Sequence, residues 1–130
     1  MSAELNILTG IDIVKNSRIK RMLERNPDAV KDIFSPLEIE YCEKKRFYEQ
    51  SYGARFAVKE AIIKALDLGI LSAELPKIEM VNSGSGKPII NIHSDKIKQK
   101  IYSMLGKDRY TIKVSVAHEK EYSVASVIIY

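Results

Sequence analysis

Leu5 to Val14 (LNILTGIDIV) is an apolar, β-branched run interrupted by Gly10 and one acid, Asp12, a pattern that predicts a buried strand. KNSRIKRMLER then turns to helical spacing through Arg25. Asn26-Pro27 predicts a cap and first-turn proline for a short helix through Phe34, and Ser35-Pro36-Leu37-Glu38 reads as a capping box opening a helix to about Lys45. The longest helix is expected from about Glu49 to Asp67, with Gly69 closing it. The second half reads differently. Lys77 to Val81 and Ile89 to His93 form a hairpin around NSGSGKP, where Gly84 and Gly86 are expected to supply positive φ. Ser94 caps a helix through about Leu105, and TIKVSVAH and YSVASVIIY pair as a second hairpin through Glu119-Lys120-Glu121. Helices mainly first and hairpins mainly later predict an α+β fold with an antiparallel sheet.

The chain has 130 residues, 45% of them hydrophobic, enough for one domain spanning residues 1–130 and not for two. No run approaches the roughly 18 apolar residues of a membrane span, and MSAELNILTG has neither a basic segment nor a long apolar one, so a cytoplasmic protein without membrane attachment is expected. Cys42 has no partner for a disulfide and no neighbouring soft ligand for a metal. The formal charge of +4 suits a nucleic acid, an acidic protein or a phosphorylated small molecule. Lys15, Arg18, Lys20, Arg21 and Arg25 stand against a single Glu24 in one segment, a local cationic surface or simply a solvated helix face. Aromatics are not interleaved with these cations, which speaks against a nucleic-acid stacking platform.

The charges of ARFAVKEAIIKAL are harder to place. At about 100° per residue, Ala54, Ala57, Val58, Ala61 and Ala65 form a small-residue face, with Phe56 and Ile63 opposite. Glu60 and Lys64 share one strip between these faces; Arg55 and Lys59 share the other. Glu60 is then either half of an exposed helix pair worth about 0.3–0.5 kcal/mol or a carboxylate needing a partner. Asp12 poses the same question from a strand. Together they could hold Mg²⁺, which takes one or two carboxylates beside phosphate and water, or they could form separate salt bridges. GSGKP is not a phosphate loop, because Val81 and Pro88 stand where a glycine and a Ser or Thr are required; a hairpin turn fits better. His118 ends a strand on the face of Ile112, Val114 and Val116, and His93 is expected at the surface. No Ser-His-Asp set or Cys/His zinc cluster is present.

Four segments in order, TGIDIV, GARFAVKEAIIKAL, GKP and VSVAHEKEYSVASVII, resemble the holo-acyl-carrier-protein synthases, the small bacterial 4′-phosphopantetheinyl transferases, over almost the whole chain. The resemblance implies that family's α+β fold, an antiparallel sheet packed with a long central helix and shorter helices. It implies Asp12 and Glu60 as Mg²⁺ ligands and, with Lys64, as the catalytic set. Coenzyme A would be the substrate, bound by Arg55, Lys64, Lys87, Pro88, Ser115 and His118. Its phosphopantetheine would pass to a serine of an acyl carrier protein, leaving adenosine 3′,5′-bisphosphate. Arg18, Arg21, Met22 and Arg25 would dock the acidic carrier, and a homotrimer would place active sites between subunits. The chain departs from the family pattern at Lys15 (usually Glu), Ile63 (often Ser), Asp67-Leu68-Gly69 (usually Gly-Thr-Gly) and Glu119 (usually Thr). These departures motivate an alternative, a catalytically silent module that binds coenzyme A or an acidic protein.

Overall fold

The computed structural model describes residues 6–69 and 72–130. Met1 to Leu5, which include the expected start of the first strand and part of the segment read for a leader, lie outside the described residues. Strand β1 (Leu8–Lys15) leads directly into helix α1 (Asn16–Arg25). A 3-10 turn (Pro27–Ala29), α2 (Val30–Ile33), α3 (Pro36–Glu43) and the long α4 (Tyr48–Ala65) follow. A 3-10 segment (Ser72–Lys77) precedes β2 (Ile78–Asn82) and β3 (Pro88–Ile92), and α5 (Asp95–Leu105), β4 (Ile112–His118) and β5 (Tyr122–Ile129) complete the chain. The expected α+β class holds: β1-β5-β4 is one antiparallel sheet and β2-β3 a separate hairpin.

The strand period determines what reaches the site. Val14 of β1 and Ser123, Ala125, Val127 and Ile129 of β5 are buried against α4, while Ile11 and Ile13 point away and are each 64% exposed. Asp12 shares the parity of Val14, so it points to the α4 side. The small-residue face of α4 lets this strand approach closely. A Cβ on Gly10 would overlap the Ala61 carbonyl oxygen, and one on Gly53 would meet the Asn16 amide and the Ser123 hydroxyl. Glycine and alanine at this crossing therefore bring Asp12 to the side of α4 that carries Glu60.

Ser35 forms both bonds of its capping box with Glu38, and the Ser94 hydroxyl accepts from the Ile97 N–H. Three local expectations change. Asn26 makes no side-chain cap, and the stretch to Phe34 splits into a 3-10 turn and a single α turn. Gly69 does not close α4: Asp67 takes the left-handed conformation (φ 51°), with Leu68 N–H donating to the Ile63 carbonyl and Asp67 N–H to the Lys64 carbonyl, both at 3.1 Å. In the β2-β3 turn Gly86 alone has positive φ (84°), because the tight Ser83-to-Gly86 turn requires a left-handed residue only at its last position.

Candidate active site

Glu60 and Lys64 do not pair with each other among the described residues. Instead the Lys64 ammonium donates to Asp12 Oδ1 at 2.7 Å and to the Ile11 carbonyl at 3.3 Å, crossing from α4 to β1. The Asp12 side chain is 14% exposed and that of Lys64 57%, so this bond closes one side of an open site. Its bond to Asp12, reinforced by that carboxylate's charge, raises the Lys64 pKa above the ordinary lysine value. Glu60 is half-buried; burial first, and then the Asp12 charge, push its carboxyl above the usual carboxylate value.

Asp12 and Glu60 line one cleft of about 470 Å³, together with Arg18, Ile19 and Met22 of α1 and with Phe56. The strand and helix carboxylates therefore share a cleft, Asp12 paired with Lys64 there, and the Asp12 charge acts on Glu60. Two converging carboxylates fit Mg²⁺, and no third His, Cys, Asp or Glu joins them among the described residues, so other ligands would be oxygens of water or substrate. Arg18 and Met22 stand at the edge of this cleft. Arg21 and Arg25 are exposed elsewhere on α1.

A second cleft, of about 350 Å³, gathers Arg55, Pro88, Ser115 and His118 with Tyr41, Ser51 and Asn82. Lys87 lines a neighbouring cleft between β3 and β4, and Lys64 lines neither. Arg55 is 3% exposed, yet its Nε and Nη2 have no hydrogen-bond partner among the described residues. Gln50 Oε1 lies 3.0 Å from His118 Nδ1; an amide oxygen only accepts, so Nδ1 donates and Nε2 is left open. The two clefts share no lining residue.

Two of the departures, Glu119 and Ile63, have local explanations. Glu119 Oε1 accepts from the N–H groups of Glu121 and Tyr122, at 2.9 and 2.7 Å, and so staples the turn that follows His118. Ile63 is 5% exposed within the hydrophobic core, where a hydroxyl would need a buried partner. Lys15 is exposed at the end of β1.

Sequence reasoning missed what Lys59 does. It is buried, and donates to Glu38 Oε1 at 2.7 Å, to the Leu75 carbonyl at 2.9 Å and to the Ile78 carbonyl. Glu38 also accepts from the Ser35 and Met80 N–H groups, and the Ser35 hydroxyl donates to Glu79 at 2.6 Å. This network ties α4 to α3 and β2 one residue before Glu60. The available signal was a lysine on a helix apolar on two sides.

A family model described as the 4′-phosphopantetheinyl transferase superfamily matches residues 9–124. The chain is 38% identical over 120 residues to a holo-[acyl-carrier-protein] synthase of Clostridium botulinum, covering 92% of this chain and 94% of that protein. It is 39% identical over 128 residues to one of Ruminiclostridium cellulolyticum, covering 96% and 92%. Among solved structures it is similar to the Helicobacter pylori holo-[acyl-carrier-protein] synthase in complex with coenzyme A, with a TM-score of 0.74, 28% identity and 95% and 100% of the two chains covered. The Bacillus anthracis synthase, in complex with coenzyme A (3′,5′-ADP), gives 0.72, 28% and 94% of each chain.

Proposed function

The chain belongs to the 4′-phosphopantetheinyl transferase superfamily, among the holo-[acyl-carrier-protein] synthases, and on that premise we propose that it moves phosphopantetheine from coenzyme A to a serine of apo-acyl carrier protein in a Mg²⁺-dependent reaction. The observation that carries the reading is the shared cleft of Asp12 and Glu60, bordered by Arg18 and Met22. The serine hydroxyl oxygen bonds to the β-phosphorus of coenzyme A as the bond from that phosphorus to the bridging oxygen breaks, and the hydroxyl proton passes to solvent water. Adenosine 3′,5′-bisphosphate leaves.

Asp12 and Glu60 would hold Mg²⁺, which when bound neutralises charge on the pyrophosphate. A lysine is already an ammonium at neutral pH and the bond to Asp12 raises the Lys64 pKa further, so Lys64 suits stabilisation of phosphate charge better than proton removal. Arg55, Lys87, Pro88, Ser115 and His118 would bind the nucleotide end, His118 with its free Nε2. The basic face of α1, with Arg18, Arg21, Met22 and Arg25, would steer and dock the acidic carrier. The open sheet face with Ile11, Ile13 and Ile128 favours self-association, and the trimer would form through it. No helix among the described residues is long and apolar enough to cross a membrane, which is compatible with work in the cytoplasm.

Substituting each metal ligand tests the reading. Glu60→Gln and Asp12→Asn should each abolish carrier modification while circular dichroism stays native. Wild-type rates in either variant would remove that residue from the site.

A further inference from the structure

Arg55 is poorly satisfied within the protein itself. Its guanidinium is buried on α4; among the described residues it makes one long bond, Nη1 to the Ser51 carbonyl at 3.4 Å, and Nε and Nη2 find no partner. A flexible side chain in this condition should swing toward solvent, because each buried unmet donor costs about 1–3 kcal/mol. Tyr41 of α3 lies against it, with the guanidinium carbon 4.2 Å from the ring centroid, a contact that limits where the group can move. The ring is itself fixed: Asn82 Nδ2 donates to its hydroxyl at 2.9 Å. Lys45 Nζ lies 4.5 Å from the same centroid, adding a second cation to the stack. Tyr41 and Arg55 are common to the cleft that holds His118 and Ser115 and to another cleft of about 500 Å³ between α3 and β2.

We propose that Tyr41 is a positioning residue for coenzyme A recognition, fixing the Arg55 guanidinium by stacking so that its unmet N–H groups are completed by a phosphate of the nucleotide end. The inference rests on the reading of the chain as a coenzyme A-dependent transferase. Tyr41 acts through Arg55 and touches no reacting atom. Its loss therefore weakens nucleotide binding without slowing chemistry.

The test compares steady-state kinetics of the full chain and its variants with coenzyme A and with dephospho-coenzyme A, beside calorimetric binding of coenzyme A alone. Tyr41→Leu should raise KM and Kd for coenzyme A about tenfold, between the values of an exposed and a fully desolvated cation-π contact, with kcat and the carrier KM within about twofold. Tyr41→Phe, which keeps the ring, should restore the wild-type KM. In an Arg55→Met background Tyr41→Leu should add nothing. A loss confined to coenzyme A puts the 3′-phosphate on Arg55, and an equal loss with dephospho-coenzyme A puts the pyrophosphate there; both support the inference. Wild-type KM and Kd in Tyr41→Leu, or a full additional loss in the Arg55→Met background, overturns it. If Tyr41→Leu melts at too low a temperature to assay, Tyr41→Met replaces it with the same expected rise in KM and Kd, and wild-type values in that variant overturn the inference. A wild-type protein that binds no coenzyme A sinks the functional reading instead.

Discussion

Lys59→Met removes a buried cation and leaves the helix otherwise intact, since methionine is a good helix former of similar length. The side chains of Lys59 and Glu38 are 1% and 0% exposed, so the variant leaves a carboxylate buried without its counter-charge. Removing one partner of such a pair costs about 3–5 kcal/mol. Glu38 keeps its bonds from the Ser35 and Met80 N–H groups, at 3.0 and 3.2 Å, which moderates the loss. The Leu75 and Ile78 carbonyls lose their donor, which restores it. A loss of about 4 kcal/mol is the result, a large share of the roughly 5–15 kcal/mol that holds a domain together. Urea unfolding followed by circular dichroism should show the midpoint falling by about 2 M, at a slope of about 2 kcal/mol per M. Adding Glu38→Gln removes the stranded charge and should recover a third or more of the loss. A midpoint shift below about 0.5 M, or a double variant no more stable than the single, would refute a charge-based role for the network.

Other consequences are local. Because Glu60 has a raised folded-state pKa, the stability it contributes is full below the usual value of 4.5 and is lost as pH rises through its folded value. Metal-free melting temperatures of wild type should therefore fall relative to Glu60→Gln across that window, and Mg²⁺ should raise the wild-type value above the window but not below it; parallel curves would contradict this. Gly10→Ala should cost about 2 kcal/mol in unfolding free energy, because the Cβ overlaps the Ala61 carbonyl oxygen and α4 must move off β1. Asp67→Gly should stabilise by about 0.5 kcal/mol in thermal unfolding, the relief of a left-handed residue less the entropy of glycine. A destabilised variant would argue against the α4 closure described above.

The strands and helices were legible because their apolar periods agree with local punctuation. Ser35 and Ser94 each precede a helix with the right residue for a cap. The site was legible only in pieces. Spacing isolated Asp12 and Glu60 as carboxylates in apolar elements and could not bring them together; the Gly10–Ala61 crossing does that, through a contact between residues 51 apart. Lys59 was unreadable for the same reason. Its acceptors come from Glu38 and from two carbonyls 16 and 19 residues further along, and no local period encodes them. Asp67 shows a different limit. Glycine is the usual left-handed residue, so Gly69 drew the expectation, whereas the position after Leu66 takes that conformation with an aspartate.

The central claim is phosphopantetheine transfer, and intact-mass measurement of a cognate apo-acyl carrier protein tests it most directly. After incubation with the wild-type protein, coenzyme A and Mg²⁺, the carrier should gain the mass of one phosphopantetheine, adenosine 3′,5′-bisphosphate should appear in equal amount, and a chelator should prevent both. An unchanged carrier mass with every cognate apo-carrier, while coenzyme A still binds, would contradict the claim and leave a silent binding protein.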